Sequence, residues 1–139
     1  MRLLAQNNED LQIISSMAQD AISRVGDISW DVKSRQLVIA MNRFCWEHKR
    51  RSAAARIRSA LQIGGVLQVK SKGIQIENTN GILYLLAIEF NQDEQLSPGG
   101  HIRIVFSDGA VLTAEVECLD LALIDLSEPW PVKSRPKHG

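Results

Sequence analysis

The sequence predicts an α+β fold that is mostly antiparallel β: a curled sheet or small barrel of about seven or eight strands with one N-terminal helix. Two observations indicate this fold class. Apolar residues recur at three- and four-residue steps only near the N-terminus, whereas beyond Asp20 they mostly alternate with polar residues, as in β-strands. No helix-length segment separates the predicted strands, so we expect antiparallel connections without helical crossovers.

The composition is that of one ordinary domain. The chain has 139 residues, of which 45% are apolar and 23% charged, and its 16 basic residues balance 16 acidic ones. A chain of this length buries about two thirds of the surface that its unfolded form exposes, so it needs no metal or disulfide to fold. The zero net charge excludes a bulk polycation and a disordered acidic protein. We expect one domain over residues 1–139, with 127–139 as an extended, proline-bearing basic tail.

The N-terminal segment predicts the helix. Asn7 or Asn8 can cap it, and Glu9 and Asp10 in its first turn offset the positive end of the helix dipole. One side is then apolar and should pack on the sheet; it comprises Leu11, Ile14, Met17, Ala18, Ala21 and Ile22.

The remaining segments predict strands. Ser52–Leu61 is ambiguous because it is rich in helix formers, but Arg56 and Arg58 alternate with apolar residues, which favours a strand. Gly81–Phe90 is apolar on both sides, so it predicts a central strand with Tyr84 in the core. Short strands are also predicted at Gln36–Phe44, Val66–Lys70 and Ile74–Glu77. Pleckstrin-homology-like and split-barrel-like shapes both satisfy this pattern.

One hairpin can be predicted residue by residue, over His101–Val116. A three-residue loop, Ser107–Gly109 with Gly109 left-handed, sets His101 opposite Glu115 and brings seven apolar residues together on one side: Ile102, Ile104, Phe106, Ala110, Leu112, Ala114 and Val116. A two-residue loop would mix apolar and polar residues on the same side.

The ends and the cysteines predict a cytoplasmic protein. The N-terminus has no apolar run long enough for a signal peptide, and no segment approaches the roughly 20 apolar residues needed to cross a bilayer. Cys45 and Cys118 lack paired spacing, so we expect buried thiols in a reducing compartment and neither a metal site nor a cofactor.

Several strings resemble a known family across nearly the whole chain. They are, in order, LVIAMNRFCWE, VLQVKSKGI, LLAIEF, SPGGHIRIVF, LTAEVECLDLALIDL and PWPVKSRPKH. Together they resemble domain-of-unknown-function family 2948, which is bacterial and mainly alphaproteobacterial. The resemblance implies a soluble, single-domain bacterial protein without an established activity. The family pattern tends to have an acid where this chain has Cys45, which argues against an essential thiol.

The sharpest functional feature is a basic cluster between positions 43 and 58 that contains Glu47 as its single acid. Phe44 and Trp46 are interleaved with its cations, and Trp130 follows between two prolines as a further anchor. Guanidinium groups beside aromatic rings suit protein contacts as well as phosphates and bases. The predicted binding residues are Arg43, Trp46, Lys49, Arg50, Arg51, Arg56, Arg58 and Trp130.

Three functions remain open at this point. The first is a non-enzymatic interaction module that contacts a protein partner or a second copy of itself, without membrane contact. The second is a nucleic-acid or polyanion binder that uses the same cations. The third is an enzyme or accessory subunit with a site formed by Cys45, His48 and Glu115. No catalytic residue is assigned, because the chain has no P-loop, dinucleotide-binding, H-E-x-x-H or G-x-S-x-G string.

Overall fold

The computed structural model describes residues 1–45 and 55–131. One α-helix, α1, spans Asn8–Ala18 in this part of the chain, and short 3-10 turns occupy Val25–Asp27, Glu94–Leu96 and Ser107–Gly109. The strands are β1 (Arg2–Ala5), β2 (Ile22–Arg24), β3 (Ile28–Asp31), β4 (Gln36–Phe44), β5 (Ala55–Ile63), β6 (Val66–Lys72), β7 (Ile82–Gln92), β8 (Gly100–Phe106), β9 (Val111–Val116), β10 (Leu121–Asp125) and β11 (Trp130–Pro131).

The strands form one curled antiparallel sheet. Its order is β1-β10-β5-β4-β2-β7-β8-β9-β6, with β3 pairing β4 and β11 pairing β5. The end strands β1 and β6 do not pair with each other within the described residues, so the sheet is curled but not closed. The predicted fold class is confirmed. The described residues hold eleven strands rather than seven or eight, because β1, β2 and β11 are only two to four residues long and too short to show an alternating pattern.

The inner side of the curl is the hydrophobic core. Strand β4 shows how the sequence produces this core. Its nine residues alternate between buried and half-buried positions, so every second side chain points inward. Strands β5, β8 and β9 contribute the same pattern from their inner sides. The largest fully buried apolar side chains from these four strands are Leu37, Ile39, Met41, Leu61, Ile63, Ile102, Ile104 and Phe106.

Helix α1 packs mainly on β7 and also contacts β1 and β4. Its predicted cap is confirmed: the Asn7 Oδ1 accepts a hydrogen bond from the Asp10 backbone N–H at 2.8 Å. Leu11 and Ile14 are buried, as their spacing predicts. The Ser15 hydroxyl accepts a hydrogen bond from the Ile88 N–H at 2.9 Å, which ties the helix to the sheet by a polar contact as well.

The hairpin of β8 and β9 has the predicted register. His101 lies opposite Glu115, and Gly109 is left-handed with a φ of 77°. Asp108 is also left-handed, with a φ of 60°. An Asp residue tolerates that conformation better than most residues, so the loop closes without a second glycine.

Two strand predictions have different outcomes. The strand preference within Ser52–Leu61 is confirmed by β5, which begins at Ala55 in the described part of the chain. The strand predicted at Ile74–Glu77 is wrong, because this segment is a turn-containing loop in which the Asn78 N–H donates to the Gln75 carbonyl at 3.0 Å.

The loop is instead fixed at its far end. The Gly26 N–H donates to the Thr79 carbonyl at 2.9 Å, and the Val25 N–H donates to the Gly81 carbonyl at 2.9 Å. The carbonyls of Thr79 and Gly81 therefore bond to the 3-10 turn that follows β2, and not to a neighbouring strand.

Strand β7 is central, between β2 and β8, as its apolar composition predicts. Tyr84 is not in the core, however, because Leu83 and Leu85 occupy the inward positions and Tyr84 is 49% exposed. A register shift between Leu85 and Ala87 then turns Ile88 inward. The outer side of β7 is thus apolar and exposed.

We predict that replacing Gly100 by Ala destabilises the fold by about 2–3 kcal/mol, because an added Cβ would overlap the backbone of β7. It would meet the Asn91 carbonyl oxygen and lie 2.8 Å from the Gln92 Cα, and neither group can move without breaking the sheet. The matched control is Gly109→Ala, where open space surrounds the site and the cost is that of a positive φ, about 1 kcal/mol. Urea unfolding of both variants measures the difference, and equal costs would contradict the prediction.

Candidate interaction surface

Arg43 lies inside the protein and not on a basic surface. Its side chain is 0% exposed and forms a bidentate ion pair with Asp125, with Nη2 3.0 Å from both carboxylate oxygens and Nε 3.1 Å from Oδ1. The Ser59 hydroxyl donates to Asp125 Oδ1 at 2.8 Å and accepts from Arg43 Nε at 3.2 Å. Arg43 Nη1 also donates to the Phe44 carbonyl at 3.0 Å. The buried charges are thereby paired and hydrogen-bonded.

The strand alternation explains this position. Arg43 is two residues beyond Met41 on β4 and continues the inner side of that strand. Ser59 of β5 pairs in register with both Met41 and Asp125, so the three strands bring the pair together. The expectation that Arg43 belongs to an exposed binding cluster therefore requires correction, because its guanidinium is used within the core.

Arg56 lies on the outer side of the sheet and stacks on Phe44. Its guanidinium carbon is 3.8 Å from the centre of the Phe44 ring, and its Nη1 donates to the Asn42 carbonyl at 3.0 Å. Partial burial lowers the pKa of Arg56 from its ordinary value, and the negative charge of Asp20 acts in the opposite direction. Trp130 of β11 is the register partner of Arg56, so it lies on the same side.

Arg58 lies one row further along β5 on the same side. Its Nη2 is 3.1 Å from Asp27 Oδ1, and its Nη1 donates to Asn42 Oδ1 at 3.1 Å. The guanidinium already has a carboxylate partner. This pairing leaves less charge available to an external anion than the sequence predicts.

The apolar residues of β7 continue this surface. Ile82, Tyr84 and Leu86 are 50%, 49% and 45% exposed. Tyr84 is the register partner of Ile22, which in turn is opposite Asn42. We call the surface the outer face; it consists of Ile22, Arg24, Asn42, Phe44, Arg56, Arg58, Ile82, Tyr84, Leu86 and Trp130.

The binding residues predicted from the sequence lie in different parts of the protein. Arg56, Arg58 and Trp130 lie on the outer face, and Arg43 is buried beneath it. Four other predicted residues, Trp46, Lys49, Arg50 and Arg51, lie outside the described residues, as does the basic stretch of the tail. The sequence analysis did not predict that the outer side of β7 contributes to this surface. The signal that could have shown it was the apolar composition of this strand on both sides.

The residues considered for catalysis are separated in the described part of the chain. Cys45 is buried as expected, but Cys118 is exposed, so the expectation of two buried thiols is wrong for Cys118, while His48 lies outside the described residues. His101 Nε2 is 3.8 Å from Glu115 Oε1, the cross-strand pair that the hairpin register predicts. Among the described residues, no group of three or more His, Cys, Asp or Glu side chains is arranged to hold a metal ion.

Over residues 1–45 and 55–131, fold and surface together define a class: an antiparallel β-sheet protein with one packed helix and an outer face that exposes Tyr84 and Trp130. The family model described as "Protein of unknown function (DUF2948)" matches residues 1–138, and the chain belongs to that family, which confirms the resemblance found in the sequence. No curated protein and no solved structure matches the chain. Within residues 1–45 and 55–131, no helix has the length and apolarity that a membrane span requires.

We predict that Asp125→Asn destabilises the protein by about 3–5 kcal/mol, because it leaves the Arg43 guanidinium buried without a negative charge. The control is Glu89→Gln, which removes the carboxylate of the exposed Arg103–Glu89 pair and should cost at most about 1 kcal/mol. Urea unfolding measures both values.

A second variant separates charge from packing. Arg43→Met combined with Asp125→Leu removes both charges and should recover much of the stability lost in Asp125→Asn. If Asp125→Asn costs no more than Glu89→Gln, the ion pair is not the constraint that we describe.

Proposed function

We propose that this protein is a non-enzymatic interaction module whose outer face binds protein, with a second copy of the chain as the partner. The observation that carries the proposal is the exposure of Ile82, Tyr84 and Leu86 on a strand that is paired on both sides. A central strand that is apolar on both sides is typical of a sheet that is covered on both sides. Contiguous exposed apolar residues mark interaction sites in soluble proteins.

The residue types of the outer face support this proposal. Tyr, Trp and Arg are enriched at the centres of protein interfaces and contribute most of their binding energy. Arg56 is already held by the Phe44 ring and the Asn42 carbonyl, so little side-chain freedom is lost when a partner covers it.

The charge pattern favours a second copy as the partner. Arg24 and Asp20 are both exposed beside the apolar strip, and the Asp20 charge acts on Arg56. The Asp20 N–H donates to the Leu85 carbonyl at 2.8 Å, which holds the backbone of Asp20 against β7. A face that carries both signs around an apolar centre can be self-complementary across a two-fold axis, as symmetric dimers require.

The same proposal includes a cytoplasmic location. The chain has two cysteines that are 73 positions apart and lack the paired spacing of a disulfide-rich secreted protein, which is typical of a protein in a reducing compartment.

Polyanion binding through the arginines is the alternative, and the aromatic–guanidinium stack of Phe44 and Arg56 is the observation that favours it. Two contacts weigh against it: Arg43 is buried with Asp125, and Arg58 is paired with Asp27. The cations that remain to test are Arg50 and Arg51, which lie outside the described residues.

We predict that the wild-type chain self-associates, and that the double variant Tyr84→Ser, Leu86→Ser raises the dimer dissociation constant at least about tenfold. Sedimentation equilibrium at concentrations up to about 100 µM measures this constant. The matched control is Ile13→Ser on the exposed side of α1, a residue that is 55% exposed and lies off the outer face. A wild-type chain that stays monomeric, or a control variant with the same effect, would show that the outer face does not bind a second copy.

We expect no salt-dependent binding of labelled single-stranded DNA or RNA at about 50 mM salt, because two of the three described arginines of the predicted cluster, Arg43 and Arg58, pair with Asp125 and Asp27 within the fold. Fluorescence anisotropy measures the binding. Tight binding that weakens steeply with salt and is lost on charge reversal of Arg50 and Arg51 would favour the polyanion alternative instead.

A further inference from the structure

A polar pocket opens on the outer face where β2 separates from β4. The two strands pair at Ile22 and Asn42, after which the chain turns at Val25–Asp27 and β4 pairs with β3 instead. A cavity of about 460 Å³ lies at this separation, and its volume is within the usual range of about 300–1,000 Å³ for binding sites. We call it the Arg58 pocket; its lining includes Ile22, Arg24, Asp27, Asn42, Arg58 and Ile82.

Tyr84 projects from the same side of the sheet as this pocket. Tyr84 pairs in register with Ile22, and Ile22 pairs with Asn42. Asn42 pairs in turn with Arg58, so these four residues form one row across β7, β2, β4 and β5. Directly paired residues of antiparallel strands lie on the same side, and the buried Leu83 lies on the other. Neighbouring strands are about 4.8 Å apart, so Tyr84 stands about 10 Å from Asn42 along the row.

The polar side chains of the pocket keep unused hydrogen-bonding groups. Arg58 donates to Asn42 Oδ1 and to Asp27 Oδ1, both at 3.1 Å, but a guanidinium has five N–H groups and these contacts use two of them. The Asn42 Nδ2 group makes no hydrogen bond within the described residues. A partner that covers the face takes such groups out of water, which weakens binding unless the partner brings a matching group.

The Tyr84 hydroxyl is a matching group. A phenol hydroxyl both donates and accepts, so it can accept from Asn42 Nδ2 and donate to the Asp27 carboxylate. Tyr84 is 49% exposed, and its hydroxyl makes no hydrogen bond within the described residues. A tyrosine that becomes buried usually finds a partner for its hydroxyl. The tyrosine and the pocket therefore each lack what a second copy of the chain would supply.

A two-fold axis makes this contact reciprocal. In a symmetric dimer the same patch of both chains meets itself, so each contact across the axis occurs twice. An aromatic side chain that fills a pocket of the partner is the typical source of binding energy at an interface. One tyrosine and one pocket on the same face of each chain meet this requirement.

We propose that Tyr84 of each chain inserts into the Arg58 pocket of a second copy. Its ring lies against Ile22 and Ile82, and its hydroxyl bonds to Asn42 and Asp27. This contact rests on the proposed function, because it needs the outer face to bind a second copy. It also gives that binding its specificity, since the pocket accepts a side chain that the same face presents.

The test is complementation between two variants of the full chain, measured by sedimentation equilibrium. Tyr84→Ser removes the inserted side chain, and Asn42→Phe fills the pocket. Each variant alone loses the contact twice, so its dimer dissociation constant should rise at least about tenfold. A mixed dimer keeps one contact, because Tyr84 of the Asn42→Phe chain meets the open pocket of the Tyr84→Ser chain. When each variant alone is weakened about tenfold, the mixed dimer should be weakened only about threefold.

The matched control mixes Tyr84→Ser with Leu86→Ser, two variants that each lack a side chain of β7 and leave the pocket open. Their mixed dimer should have a dissociation constant between those of the two variants alone. Circular dichroism and the melting temperature confirm that each variant is folded. Ile82→Trp fills the pocket from a position that is 50% exposed, and it replaces Asn42→Phe if that variant does not fold.

Tyr84→Phe tests the hydroxyl separately from the ring. It keeps the ring but leaves the Asn42 amide without an acceptor, so the dissociation constant should rise about fivefold. Tyr84 is the single tyrosine of the chain, so incorporation of 3-fluorotyrosine gives one fluorine NMR signal. The chemical shift of this signal should change over the same concentration range as dimerisation.

The outcomes distinguish this contact from the proposed function. A wild-type chain that stays monomeric would overturn both. A dimer that the double variant Tyr84→Ser, Leu86→Ser weakens, but whose Tyr84→Ser and Asn42→Phe chains do not complement each other, would overturn the Tyr84 contact alone. A Tyr84→Phe chain that dimerises as tightly as the wild type would likewise overturn only that contact.

Discussion

The buried pair of Arg43 and Asp125 is the constraint on which the arrangement of this sheet depends. It connects β4 to β10 across β5, since Ser59 of β5 hydrogen-bonds to both partners. A guanidinium without its carboxylate would be far too costly to bury, so the three strands must meet in one register. With Arg43 inside, Asn42 and Phe44 necessarily project outward. The position of one ion pair therefore determines which side chains the outer face presents.

The helix has the complementary role of covering one side of the sheet. It packs on the inner side of the curl, against β7, and leaves the outer side of that strand exposed. The described part of the chain contains one helix, α1, and the sheet has two sides. The helix can cover only one of them. The apolar outer side of β7 is therefore not needed for the core, which is why we assign it to an interface.

Local patterns were sufficient to predict much of the fold. The cap at Asn7, the hairpin register at His101 and Glu115, and the central position of β7 each depend on neighbours in sequence or on one turn. The strand predicted at Ile74–Glu77 failed because alternation alone cannot show whether a partner strand is present. Strand β1 was missed because its four residues pair with β10, a contact far away in sequence.

The candidate site was predicted less completely for the same reason. Arg43, Arg56 and Arg58 look alike in the sequence, and only the long-range partners Asp125, Phe44 and Asp27 distinguish their roles. The strand alternation already separates Arg43 from the other two, because odd positions of β4 point inward whereas even positions of β5 point outward. The two-residue period of a strand applies to charged residues as it does to apolar ones. On β4 this period predicts that Arg43 points inward, together with Leu37, Ile39 and Met41.

Charge balance explains why the arginines of the predicted cluster are poor sites for an external anion. In a chain with zero net charge, acids are available to pair with arginines within the fold. Asp125 pairs with Arg43 inside the core, and Asp27 pairs with Arg58 on the outer face. The side chains that remain prominent on the outer face are aromatic and apolar, which suits a contact with protein better than a contact with a polyanion.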